Sequence, residues 1–190
     1  MNSSSRALAL VPLFAALIAV FGLIPKIDLP LSVPITLQTL GVMLAGCLLG
    51  PRRGMQAMLL FLGAVALGLP LLSGGRGGLG VFFAPSTGYL IGWPFGALVT
   101  GAVMAWLPTG GPRGAAISAF FAATVGGMIT VHVFGVVGLV TMARLNWEQA
   151  ALGTLLFVPG DLVKSLLCAL VVHTVARGLP DWQFGGRSAR

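Results

Sequence analysis

Pro159-Gly160-Asp161-Leu162-Val163-Lys164-Ser165-Leu166-Leu167-Cys168-Ala169-Leu170-Val171-Val172-His173-Thr174-Val175-Ala176 is an apolar run carrying one acid and one base. From Gln149 to Ala176 these two residues are the only formal charges. A stretch of this length and character is long enough to cross the roughly 30 Å hydrocarbon core of a bilayer as a helix. Ionisable side chains in such a segment are costly and mark a substrate path or binding site. Three positions apart on a helix, Asp161 and Lys164 share one face, so they can serve one small polar ligand or each other.

The rest of the chain has the same character. Of its 190 residues, 57% are hydrophobic and 8% charged, and the mean hydropathy is +1.00. A soluble domain carries about a quarter charged residues, which excludes that class. The net charge of +7 could suggest a nucleic-acid partner. The basic residues, however, lie scattered at segment ends without a patch or stripe, as expected of topology signals facing a lipid bilayer. The expected fold is therefore an all-α integral membrane protein, one polytopic domain over residues 1–190.

Charges and prolines divide the chain into six expected spans, at residues 7–24, 35–50, 54–69, 88–107, 114–142 and 160–177. The first could be taken for a signal peptide, but it has no clear small-residue cleavage site and reads as a retained helix. Pro34 is expected in the first turn of the second span, and Pro51-Arg52-Arg53 closes it. Residues 147–158 are too short to cross and read as a re-entrant or interfacial helix, capped by Asn146 with Trp147 at headgroup level. With both termini on one side, that side collects Arg6, Arg52, Arg53, Arg113, Arg177, Arg187 and Arg190. The other side has only Lys26, Arg76 and Arg144. The positive-inside rule then predicts cytoplasmic termini and outward loops at 25–34, 70–87 and 143–158. Asp161 and Lys164 fall within about 6 Å of the outer end of the last span. A pocket opening outward is thus expected, with Pro159-Gly160 leaving free N–H groups beside it.

The 70–87 loop carries Ser73-Gly74-Gly75-Arg76-Gly77-Gly78-Leu79-Gly80. Its Gly75-x-Gly77-x-x-Gly80 pattern has no strand before it and does not make a dinucleotide-binding turn. The loop reads as a flexible lid in preference to a mere connector, because Val81, Phe82 and Phe83 follow and need a pocket between helices to bury them. Tyr89, the only tyrosine, is an interfacial anchor or an aromatic wall with a hydroxyl for a ligand. Gln38 and Thr36 could bond a ligand or a neighbouring helix. The pairs Gly46/Gly50 and Gly92/Gly96 read as close helix packing. Ala15 and Ala19 have the same spacing and suit packing within the chain or against a partner. Cys47 and Cys168 read as small buried hydrophobes. His132 and His173 stand apart and read as packing histidines, and no residue cluster has metal-ligand spacing. The two lysines lie outside any phosphate-cradling loop of Walker type. Four acids and two histidines offer no convergent catalytic pair, which argues against an enzyme.

Three stretches carry a resemblance: Val33-Pro34-Ile35-Thr36-Leu37-Gln38-Thr39, then Phe83-Ala84-Pro85-Ser86-Thr87-Gly88-Tyr89-Leu90-Ile91-Gly92, then Pro159-Gly160-Asp161-Leu162-Val163-Lys164. In order, spacing and six-span layout they resemble the bacterial biotin-transport S components, the BioY family, along most of the chain. That family supplies the substrate-binding membrane subunit of energy-coupling factor vitamin transporters. Its members work with a transmembrane coupling (T) subunit and two cytoplasmic ATPase subunits. The resemblance implies that Asp161 and Lys164 contact biotin, which is transported substrate and not cofactor. It also implies that the 70–87 loop closes over the vitamin, that Ala15-x-x-x-Ala19 meets the coupling subunit, and that the membrane is the bacterial inner membrane. Many members carry Thr-Gly-Gly-Tyr where this chain has Ser86-Thr87-Gly88-Tyr89. Biotin presents a ureido ring with two N–H donors, an apolar bicycle and a carboxylate tail. Asp161 suits the donors, Phe82, Phe83 and Tyr89 the bicycle, and Lys164 the carbonyl or carboxylate, with Ser86, Thr87 and Gln38 as further polar contacts. The competing reading is a gradient-driven transporter of another small organic anion, working alone.

Overall fold

The computed structural model describes residues 3–27 and 33–186. It is all-helical in its regular structure: α1 (Ser3–Gly22), α2 (Gln38–Leu49), α3 (Pro51–Ala66), α4 (Thr87–Trp106), α5 (Gly111–Ala122), α6 (Val131–Met142), α7 (Trp147–Leu155) and α8 (Val158–Gly178). A π-helical segment, Ala123–Thr130, joins α5 to α6, making one rod from Gly111 to Met142. Along with α4 and α8, this rod is long and apolar enough to cross a membrane. The chain is accordingly a membrane protein.

The apolar composition of α2 is explained by its place. All of its residues except Thr39 are buried, and it packs against α1, α3, α4 and α8. An axial helix of this kind is hydrophobic all round, without an amphipathic stripe. At about 1.5 Å per residue its 12 residues reach only about 18 Å. Prolines set that length. Pro34 lies outside the helix, contrary to expectation, because Ile27 and Ile35 exchange backbone hydrogen bonds of 3.0 and 2.8 Å in an extended bridge. Residues flanking a proline favour such backbone, which delays the helix to Gln38. At the other end Pro51 opens α3 after Gly50, whose φ of 84° only glycine adopts readily.

Glycines set the helix spacings. A Cβ on Gly88 would strike the backbone at Phe134 and Gly138, and one on Gly96 would strike Val131. A Cβ on Gly46 would strike Ala97 and Thr100. The expected small-residue packing of α4 and α2 is thus observed. Cys47 and Cys168 are buried between α2 and α8.

The Gly-rich loop is folded back upon the bundle. Leu72 and Arg76 pair through backbone bonds of 3.0 and 3.2 Å around Gly74 and Gly75, both at positive φ. The loop ends in a 3₁₀ turn, Leu79–Phe83. Such a turn rotates successive side chains by about 120°, so Val81, Phe82 and Phe83 point three ways. Val81 is buried and Phe82 half-buried, but Phe83 is 78% exposed, against the expectation that all three bury. The short helix expected before the last span is α7, and Asn146 caps it. The Asn146 side chain accepts from the Gln149 N–H at 2.8 Å, and Gln149 returns the bond to the Asn146 N–H at 3.4 Å.

Candidate functional site

Three elements bring four side chains together at the end of the bundle where α8 begins. Asp161 and Lys164 project from the first two turns of α8, Thr39 from the start of α2, and His132 from the start of α6, just past the π segment. Lys164 Nζ donates to Asp161 Oδ1 at 2.7 Å and to Thr39 Oγ1 at 2.8 Å. Thr39 Oγ1 in turn donates to Asp161 Oδ1 at 3.4 Å. His132 Nε2 donates to Asp161 Oδ2 at 2.7 Å. Asp161 is 4% exposed and Lys164 6%. Both carboxylate oxygens therefore have donors, as a buried charge requires. An ammonium has three donors, and Lys164 uses two of them on the protein.

The cluster forms one wall of a cavity of about 50 Å³. Tyr89, Trp93 and Phe157 supply its aromatic surfaces, Ser86 and Gln38 its polar ones, and Arg76 reaches it from the Gly-rich loop. Tyr89 is fixed by a 2.7 Å hydrogen bond between its hydroxyl and Thr154 on α7, and its ring lies 5.5 Å from that of Phe157. A Cβ on Gly135 would overlap the Tyr89 ring, so this glycine makes the slot in which the tyrosine stands.

Two buried polar groups of this wall have no hydrogen-bond partner, Ser86 Oγ and Trp93 Nε1. Buried donors and acceptors are nearly always paired. Both have hydrogen-bonding capacity left free beside the charged cluster.

Of the residues expected from sequence, Asp161, Lys164, Tyr89, Ser86 and Gln38 come together here. Phe82, Phe83 and Thr87 do not line the cavity. The Thr87 hydroxyl donates to Ala84 O at 2.6 Å and Val81 O at 3.3 Å, tying the end of the loop to α4. Gln38 is occupied as well. Its Nε2 donates to Ile18 O at 3.2 Å and Leu71 O at 3.1 Å, and its Oε1 accepts from the Ser73 N–H at 3.1 Å. This side chain clamps the Gly-rich loop to α1. Ala15 is buried inside the bundle and Ala19 half-buried, while Leu13 and Val20 form the exposed side of α1.

His132 is a correction: it reads as a packing histidine and in fact holds the site carboxylate. Nothing near it in the chain signals this, since it stands in an apolar run. Thr39, Trp93, Phe157 and Arg76 line the cavity as well, beyond the residues the sequence pointed to. Arg76 alone had a local signal, as a cation inside a glycine-rich loop.

The BioY family model matches residues 1–181. A "Biotin transporter BioY" of Rhizobium etli is 47% identical over 180 residues, covering 93% of this chain and 96% of the relative. One of the same name from Rhodobacter capsulatus is 46% identical over 185 residues, with 93% and 96% coverage. A crystal structure of "the S-component for biotin from an ECF-type ABC transporter" superimposes with a TM-score of 0.81 at 31% identity, covering 93% of this chain and 95% of the other.

Proposed function

The chain belongs to the BioY family, and on that premise we propose that it is the biotin-capturing subunit of an energy-coupling factor importer. The observation that carries the reading is the buried Asp161–Lys164–His132–Thr39 cluster, set against aromatic rings and two unpartnered polar atoms in one cavity. Asp161 accepts from the ureido N–H groups of biotin. Ser86 or the free donor of Lys164 meets the ureido carbonyl, and Tyr89, Trp93 and Phe157 enclose the bicycle. Arg76, on the loop above, suits the carboxylate tail.

The space of about 50 Å³ is far below the roughly 300–1,000 Å³ of typical ligand pockets. Binding therefore requires the wall to open. The 70–87 loop is held to the bundle by the Gln38 hydrogen bonds and by buried Leu72 and Val81, and its glycines leave the backbone between them free to turn, so it acts as the lid. Phe82, Phe83 and Thr87 ride on it or beside it and reach the vitamin only as it moves. Release on the other side follows rearrangement of the complex with a coupling subunit and two ATPase subunits. The outer side of α1, with exposed Leu13 and Val20 beside half-buried Ala19, provides the contact with the coupling subunit, while Ala15 packs inside the bundle. Six crossings, outward opening of the Asp161 end and cytoplasmic termini complete this proposal, supported by the basic residues at the opposite end.

The test is biotin titration of the purified chain by calorimetry. Saturable binding that Asp161→Asn and Lys164→Ala each weaken strongly is the expected result. Unchanged affinity in both variants would remove the site assignment. Uptake into vesicles that needs co-expressed ATPase partners separates this reading from a stand-alone gradient-driven transporter.

A further inference from the structure

At the end of the bundle opposite Asp161, a second cavity of about 500 Å³ lies between the start of α5 and the end of α8. Gly110, Gly111, Pro112 and Arg113 line it from one side, His173 and Arg177 from the other. Among the described residues no carboxylate belongs to the lining and neither arginine makes an ion pair. A Cβ on Gly110 or Gly111 would meet nothing within 4 Å, so the backbone there is open to the cavity. Two guanidinium groups, an imidazole and bare backbone facing one space make a site for an anion with several acceptor oxygens.

The depth of the site bears on its occupant. The rod Gly111–Met142 has 32 residues, about 48 Å at about 1.5 Å per residue, well beyond the roughly 30 Å of hydrocarbon. Arg113 in its first turn therefore stands among lipid headgroups. Trp106, 83% exposed at the nearby end of α4, has the character of an interfacial aromatic.

The neighbouring surface adds a second, independent argument. Below Arg113 on the same face of α5, at spacings of four, come Ile117 and Phe121, both exposed. Above Arg177 and His173 on α8, one face continues through Leu170 and Leu166, also exposed. Since α5 and α8 pack together, these stripes form an apolar track running from the cationic cavity towards the membrane interior. A free phosphate needs no such track, whereas a phospholipid fills both parts.

We propose that this cavity binds the phosphate of an anionic phospholipid, with the lipid's acyl chains lying along Ile117, Phe121, Leu166 and Leu170. The test uses the full chain incorporated into vesicles of phosphatidylcholine with one-fifth phosphatidylglycerol, then extracted gently and weighed by native mass spectrometry. Wild type should retain phosphatidylglycerol in preference to phosphatidylcholine. R113Q/R177Q should lower that preference at least about tenfold, two interfacial charges being lost, with an unchanged melting temperature as the check on folding. R52Q/R53Q, which removes equal charge at the same end but outside the cavity, should leave it intact. Equal loss in the two variants would reduce the effect to general surface charge and overturn the site. Displacement of the lipid by millimolar inorganic phosphate would assign the cavity to free phosphate instead, overturning the lipid proposal.

Discussion

His132 Nε2 lies 2.7 Å from Asp161 Oδ2 and so joins α6 to α8 across 29 positions of sequence. The bond occupies the carboxylate oxygen that Lys164 does not hold. His132 thus orients Asp161, and it is itself oriented by an edge-on contact with Tyr89, their ring centroids 6.4 Å apart.

Replacing His132 by Gln tests that role. A hydrogen bond to a charged group is worth about 1.5–3 kcal/mol, so biotin affinity should fall about tenfold or more while the bundle stays folded. Calorimetric titration alongside a melting curve would check this. An affinity equal to wild type would show that Asp161 keeps its orientation without the histidine.

The Asp161–Lys164 pair separates binding from stability. Removing one partner strands a buried charge, at a cost of about 3–5 kcal/mol, whereas removing both is often close to neutral. The melting temperature should therefore drop in Asp161→Asn and in Lys164→Gln and recover in the double variant. Biotin binding should stay strongly weakened in all three. Recovery of binding together with stability would reduce the pair to a closure of the bundle.

Gln38→Leu probes the lid. It leaves an apolar branched side chain, one atom shorter, while removing the three hydrogen bonds that tie Leu71, Ser73 and Ile18 together. Hydrogen exchange at the Ser73 amide and its neighbours should accelerate, and bound biotin should leave faster, in line with a clamp rather than a ligand contact. Protection equal to wild type across residues 71–78 would contradict the clamp.

Gly135→Ala should push the Tyr89 ring from its slot and strain its 2.7 Å bond to Thr154. Overpacking of this kind costs about 1–3 kcal/mol. Recovery of the melting temperature by the pair Gly135→Ala and Tyr89→Leu, relative to Gly135→Ala alone, would locate the fault in the ring. Failure of the pair to recover would place it in the backbone of α6.

Arg76→Gln distinguishes the two ends of the vitamin. Affinity for biotin should fall, and affinity for the uncharged amide of biotin should not. A parallel loss for both compounds would mean that Arg76 shapes the loop and does not pair with the carboxylate.

Much of this architecture could be read locally. The membrane class follows from hydropathy, the breaks between helices from prolines and glycines, and the α7 cap from Asn146 and Gln149 three positions apart. Asp161 and Lys164 announced themselves because a charge in an apolar run is expensive wherever the run finally packs. Each of these is a property of a short segment and its solvent.

His132, Thr39, Trp93 and the clamp at Gln38 carry no such local mark. Thr39 meets Asp161 across 122 positions and Lys164 across 125, and a histidine in an apolar helix is the same residue whether it faces lipid, a neighbour or a carboxylate. Which face turns inward is set by helix packing, here by glycines that let α4 and α6 approach backbone to backbone. Phe83 makes the converse point: its aromatic character suggested burial, but the phase of a 3₁₀ turn sent it outward. Segment identity is settled by the energetics of each stretch in oil or water. Convergence of side chains is settled by how the stretches pack, a long-range property that no short stretch contains.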